Sequence, residues 1–236
     1  MIFVTADTHG DMERFETKAI KKLKKTDTLF VLGDFGFIWN DDEKTEKDLK
    51  KLAKLDCKIL FIDGLNENFA KLMQYPEAKF GGAHCREIVK DKIYYIPRGT
   101  IITIEDKKLL CFGGCDNYDM DIITSDNDPS QKDYNRCTAN LNLNGNSVDY
   151  ILTHMPSGKI NRFINLDSNF YSECMDYFDT VSQKASYTKW YFGNLHLDKF
   201  ISPKVQAVYT DVLPLWEEEK KGLFRKKKKK IVFVQK

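Results

Sequence analysis

The chain has 236 residues, with 37 basic and 35 acidic side chains, a formal net charge of +2, 42% hydrophobic and 13% aromatic residues. So balanced a charge names no nucleic-acid or anionic-membrane partner, and the apolar content is too high for a disordered or collagen-like chain. A chain of this length buries about 70% of its unfolded surface, enough for one large domain without disulfide or metal staples.

In chain order, short runs rich in β-branched and aromatic residues predict buried strands at 2–5, 28–32, 58–62, 93–96, 101–104, 108–112, 149–153, 189–192, 206–210 and 231–235. Between the first two runs, Met12, Phe15, Ala19 and Leu23 recur at helical spacing. Between the next two, Leu49, Leu52 and Ala53 do the same behind Asp41, Asp42 and Glu43, acids that a helix N-terminus favours. Strand–helix–strand repeats of this kind predict parallel βαβ units. The stretch 93–112, with Asp106-Lys107 between two runs, reads as a hairpin, so the expected sheet is mixed, with helices on its faces. Residues 116–148 are rich in Asn and Asp and read as a long surface excursion. Residues 213–236 read as a hairpin-like extension of a single domain spanning 1–236, with the Lys226–Lys230 run forming a solvated arm.

The six cysteines, at 57, 85, 111, 115, 137 and 174, lack the spacing of a disulfide or zinc framework and are expected to be free thiols. No run approaches the ~20 apolar residues of a membrane span, and the first residues lack an export pattern. The expected location is cytoplasmic.

Only four histidines occur: His9, His84, His154 and His196. Three follow predicted strands, in Asp7-Thr8-His9-Gly10, Leu152-Thr153-His154 and Gly193-Asn194-Leu195-His196. Two further strands end in Gly33-Asp34 and Asp63-Gly64. Ligand crevices of open α/β sheets lie at the carboxyl ends of strands, so these five signatures converge although they span nearly the whole chain. Asp and neutral His suit a divalent transition metal. Each piece alone has a plainer reading: Asp7 or Thr8 as a helix cap, Gly33-Asp34 as a turn, His154 as a hydrogen-bonded core residue. Their joint order favours a metal site. His84 lies in none of these motifs and is read as structural.

This ordered pattern resembles that of the calcineurin-like metallophosphoesterases: Asp-x-His, Gly-Asp, Gly-Asn-His-Glu, a strand-end His, then Gly-His-x-His. The resemblance covers roughly residues 1–212 and is closest to small bacterial and phage members, with Pro97-Arg98-Gly99 and Phe112-Gly113-Gly114 among the shared stretches. It implies an α/β fold, an αββα four-layer sandwich with mixed sheets, and a two-metal centre. By position, it implies Asp7, His9 and His196 as ligands of the first metal, Asp34 as the bridging carboxylate and His154 as a ligand of the second. Mn²⁺ is the first expectation, with Fe, Zn or Ni as alternatives.

The departures lie in two motifs. Gly64-Leu65-Asn66-Glu67 stands where the family has Gly-Asn-His-Glu, so Leu65 replaces a second-metal ligand and Asn66 replaces the catalytic His. Asn194 replaces a further second-metal ligand. One reading is a phosphomonoesterase or phosphodiesterase of reduced activity. In it, one metal is tight and the second is held by Asp34, His154, Asn194 and, if the loop bulges by one residue and leaves Leu65 pointed into the core, Asn66. The alternative is a catalytically degenerate binding or scaffold protein. Expected partners are a phosphate-ester small molecule or nucleotide, with nucleic acid and phosphoprotein also open. Arg98 is a candidate phosphate contact, with pairing to a nearby acid as the plainer alternative. Tyr118 and Tyr134 are candidate base-stacking residues.

Overall fold

Alternation along the strands sorts the apolar side chains onto two faces and so decides the layering. The computed structural model describes residues 1–40, 42–114, 128–165 and 172–216. The chain opens with β1 (Ile2–Thr5), two short helices α1 (Met12–Phe15) and α2 (Lys18–Lys21), and β2 (Thr28–Leu32). It continues through α3 (Glu43–Leu52), β3 (Lys58–Ile62), α4 (Phe69–Leu72), β4 (Glu77–Phe80), β5 (Ala83–Val89) and β6 (Ile93–Tyr95). Then come β7 (Thr100–Ile104), β8 (Lys107–Phe112), α5 (Gln131–Leu143), β9 (Tyr150–Thr153), α6 (Gly158–Ile164) and α7 (Glu173–Lys184). The last described elements are β10 (Lys189–Phe192), β11 (Lys199–Ser202), β12 (Val205–Ala207) and β13 (Leu213–Pro214).

Among the described residues the strands form a seven-stranded sheet, β13-β1-β2-β3-β6-β5-β4, and a six-stranded sheet, β11-β12-β10-β9-β8-β7. Both are mixed: β1, β2, β3 and β6 run parallel, as do β8, β9, β10 and β12, with antiparallel strands at the edges. Ile2, Val4, Phe30, Leu32, Leu60 and Ile62 of the first sheet share one core with Leu109, Cys111, Tyr150, Leu152 and Tyr191 of the second. The intervening residues face outward. Leu29, Val31, Ile59 and Phe61 pack with Phe15, Ile20, Leu49 and Leu52 from the helices. Leu110, Phe112, Ile151, Trp190 and Phe192 pack with Tyr134, Cys137, Leu141 and Phe178. Period-two alternation therefore buries both faces of both sheets, and the fold is an αββα sandwich.

Local chemistry explains the helices and corrects two expectations. Asp42 caps α3 by accepting from the Thr45 N–H at 2.7 Å, with Glu43 and Glu46 in the first turn and Lys50 and Lys51 in the last, complementing the helix dipole; Asp41 lies outside the described residues. The apolar periodicity at 12–23 is not one helix. Thr17 adopts an extended backbone and caps a second one, so Ile20 rather than Ala19 is buried. The 93–112 stretch is also divided. β6 belongs to the first sheet, and the hairpin is β7–β8, turned by Glu105 and Asp106 with φ of 49° and 60°.

The expected surface excursion at 116–148 contains α5, anchored by a Ser130–Asp133 capping box and burying Tyr134, Cys137 and Leu141. Tyr134 stacks on Phe112 at 5.8 Å in the core, and its fit as a base-stacking residue is lost. Tyr118 lies outside the described residues, as do Cys115, the Lys226–Lys230 run and the expected strand at 231–235. The expected strand at 206–210 is the shorter β12, while β4, β5, β11 and β13 lack the apolar runs that mark strands in sequence. Cys57, Cys85, Cys111 and Cys137 are buried free thiols, and Cys174 is buried as well. No helix among the described residues is long and apolar enough to cross a membrane.

Candidate metal centre

The parallel strands of both sheets deliver their carboxyl ends to one edge of the sandwich. Asp7 follows β1, Asp34 follows β2, and His154 follows β9 of the other sheet. Their ligand atoms all lie within 4.8 Å of one another. Asp7 and His154 are 0% exposed and Asp34 4%. His154 Nδ1 lies 3.2 Å from the Leu32 carbonyl oxygen and 3.4 Å from Asp7 Oδ1. Its Nε2 stands 3.9 Å from Asp34 Oδ1. A bond from Nδ1–H to Leu32 orients the ring and turns Nε2 toward the Asp34 carboxylate, as metal-ligating histidines are commonly held.

The fit to a cation rests on orphaned atoms. Both carboxylate oxygens of Asp7 and the Nε2 of His154 are buried without a hydrogen-bond partner. A buried carboxylate in that state costs several kcal/mol unless a positive charge is supplied, by a cation or, without one, by protonated His154 whose Nδ1 is 3.4 Å from Asp7 Oδ1. Oxygen and imidazole donors converging in this way suit a divalent transition metal.

His9 and His196 border this group on its open side. Their Nε2 atoms lie 3.0 Å apart, and His9 Nδ1 is 3.8 Å from Asp34 Oδ2, with the His9 side chain 34% exposed. Backbone strain concentrates here. Asp7, His9, Asp34, Asn194 and His196 have φ between 44° and 64°, a left-handed region that residues with a side chain rarely adopt. Those turns are cross-braced: the Asp7 N–H donates to the Gly33 carbonyl at 3.1 Å and the His9 N–H to the Asp34 carbonyl at 2.8 Å.

Asn66 lies at the centre of the site. Its backbone N–H donates to Asp34 Oδ1 at 2.8 Å and its side-chain amide to Oδ2 at 2.9 Å. Leu65 turns away and packs against the core outside the second sheet. Asn194 is half-buried, and its amide points at Met155 Sδ, 2.7 Å away. Arg98 lies outside the group. It is 1% exposed and paired to Asp63 at 2.6 Å, with Asp63 also accepting from the Tyr95 hydroxyl at 2.9 Å. The candidate phosphate contact is thus an internal ion pair beside β3, the plainer of its two sequence readings. His84 is exposed on β5, away from the group.

Electrostatics follow the geometry. Burial disfavours charge on His154, but Asp34 and Asp7 outweigh it and push the imidazole up to about 9 without metal. Asp34 is also penalised by burial, yet His154, both Asn66 hydrogen bonds and His9 hold its carboxyl below the ordinary range. In the sequence Glu67 stands out only as the last residue of Gly64-Leu65-Asn66-Glu67. It is buried and ties two turns together, accepting from Gly36 N–H at 2.9 Å and Gly64 N–H at 2.6 Å. Burial and then the Asp34 charge push it up to about 8. Its place three residues after Gly64 was the only available signal. Tyr209 and Arg14, which support His196, carried none.

No protein-family model matches the chain, and no curated protein matches it. Among solved structures it is similar to AQ665, a protein of unknown function from Aquifex aeolicus, at 18% identity with a TM-score of 0.32, covering 67% of this chain and 81% of that one.

Proposed function

We propose that the protein is a metal-dependent phosphoesterase that hydrolyses a phosphate monoester or diester at the carboxyl-end edge of its two sheets. The observation that carries this reading is the buried Asp7–Asp34–His154 group, in which three ligand atoms lack a hydrogen-bond partner, flanked by His9 and His196. Asp7, Asp34 and His154 would hold the ion, with His9 and His196 as further ligands on the open side. A divalent metal there would supply the positive charge and Lewis acidity that displacement at phosphorus requires.

The protein's own part is to hold and orient. Asn66 fixes the Asp34 carboxylate through two hydrogen bonds, and its side-chain amide can also hydrogen-bond a phosphoryl oxygen without moving a proton. Leu32 orients the His154 ring. His9, exposed to solvent, is placed to meet the substrate first. The preferred ion is Mn²⁺, and the preferred substrates are small phosphate esters or nucleotides.

A second reading, a binding protein of the same fold without turnover, is favoured by Leu65, which offers no donor, and by Asn194, whose amide is turned toward Met155. Mn²⁺ titration of metal-stripped protein followed by EPR, together with cleavage of bis(p-nitrophenyl) phosphate, separates the two. Hydrolysis requires Mn²⁺-dependent turnover that disappears in His9→Ala. Metal binding and thermal stabilisation without turnover would establish the binding protein. No Mn²⁺ binding at all would remove both.

A further inference from the structure

A cavity of about 670 Å³ lies beside the Asp63–Arg98 pair, with Arg98 in its lining, and none of the metal group's residues lines it. One wall is α5, on which Lys132, Arg136 and Asn140 recur every four residues and so share a face. The facing wall is the β4–β5 hairpin, which contributes Glu77, His84 and Arg86. Phe69, Met73 and Ile101 add apolar surface.

The charges in this cavity are unevenly spent. Glu77 is taken up by Arg86 at 3.2 Å and Asp133 by Arg136 at 3.3 Å. Arg136 also donates one N–H to the Arg98 carbonyl at 2.9 Å, and Arg86 one to the Tyr75 carbonyl at 3.1 Å. Each guanidinium has five N–H groups, so both keep donors to spare. Lys132 is exposed and has no ion pair or hydrogen bond among the described residues. It also sits in the first turn of a 13-residue helix, whose dipole favours an anion. Volume, apolar surface, one lysine without an ion pair among the described residues and spare guanidinium donors together match a small-molecule site.

We propose that this cavity is a second binding site, separate from the metal group, for an organic anion that carries an apolar body. The phosphate or carboxylate end meets Lys132 and the spare guanidinium donors of Arg86 and Arg136, which suit either oxyanion. The body lies on Phe69, Met73 and Ile101.

The test uses phenylphosphonate, an aromatic anion that hydrolysis cannot consume, titrated calorimetrically into the full chain in EDTA. Removing metal makes the outcome independent of the phosphoesterase reading. The expected result is saturable one-site binding at least tenfold tighter than that of inorganic phosphate. Lys132→Glu, at an exposed position without internal partners, should weaken it at least tenfold with no change in melting temperature, and Arg86→Gln should weaken it too. Absence of saturable binding below about 10 mM would overturn the proposal. So would equal binding of inorganic phosphate, or affinity untouched by both substitutions.

Discussion

The imidazole of His196 lies stacked on the ring of Tyr209, with centroids 4.8 Å apart and planes inclined by 20°. The Arg14 guanidinium lies over the same ring at 4.9 Å. Arg14 also donates to the Ala6 carbonyl at 3.0 Å and the Tyr209 carbonyl at 2.6 Å. One arginine thus joins the strand end that carries Asp7 to the turn whose aromatic ring supports His196. Asp198 fixes that turn from the other side, accepting from the Tyr209 and Thr210 N–H groups at 2.7 and 2.9 Å.

If this stack positions His196 as a ligand, removing it should cost metal affinity more than stability. Aromatic stacking contributes about 0.5–1.5 kcal/mol, so Tyr209→Leu should weaken Mn²⁺ binding by roughly three- to tenfold in calorimetry. Tyr209→Phe keeps the ring and should stay within about twofold. Equal losses in both variants would assign the effect to the hydroxyl.

The raised pKa of His154 gives a pH dependence of definite sign in metal-free protein. Its folded value, about 9, lies above the unfolded 6.5. Its contribution is therefore complete below pH 6.5 and lost as the pH rises through about 9. Urea unfolding of EDTA-treated protein should show stability falling across that window, with the slope reduced in His154→Gln. Metal and proton compete for Nε2, so Mn²⁺ should bind more tightly as pH rises and should release a proton near pH 7. That release is measurable from the dependence of binding heat on the buffer's ionisation enthalpy.

Arg98 and Asp63 make a buried pair, 2% and 1% exposed at their side chains. Breaking it from one side strands a buried charge, so Arg98→Met or Asp63→Asn should each destabilise by about 3–5 kcal/mol. Chemical denaturation measures this directly. A phosphate-contact role predicts the opposite pattern, with stability kept and KM raised.

Two glycines with similar backbone angles separate strain from close approach. At Gly33, φ is +85° and an added Cβ would fall 2.0 Å from His154 Nδ1; at Gly82, φ is +81° and nothing lies within 4 Å. Gly82→Ala should cost about 1–2 kcal/mol, from the left-handed conformation alone. Gly33→Ala should cost at least about 3 kcal/mol and abolish Mn²⁺ binding, because the imidazole must move. Similar losses in both would mean that the His154 ring has room to yield.

The central strands were legible in the sequence, because short β-branched and aromatic runs such as 28–32 and 58–62 are apolar on both faces and too short for buried helices. The sequence also pointed to the candidate metal group: Asp7, Asp34 and His154 stand within two residues of strand ends, and in parallel sheets that position fixes the edge to which they go. Tertiary structure decided what depends on partners distant in sequence. Amphipathic spacing across 12–23 did not reveal that Thr17 caps a new helix, and an Asn-rich composition concealed α5, whose stability comes from Tyr134, Cys137 and Leu141 meeting the second sheet. Arg98 could not be assigned from its neighbours, since its partner Asp63 lies 35 residues away. The sequence offered Asn66 at the site with Leu65 in the core only as one alternative, for a loop that bulges by one residue; in the structure Asn66 faces Asp34 and Leu65 packs against the core. That choice rests on which side of a turn each residue leaves, and only the packing of the two sheets sets it.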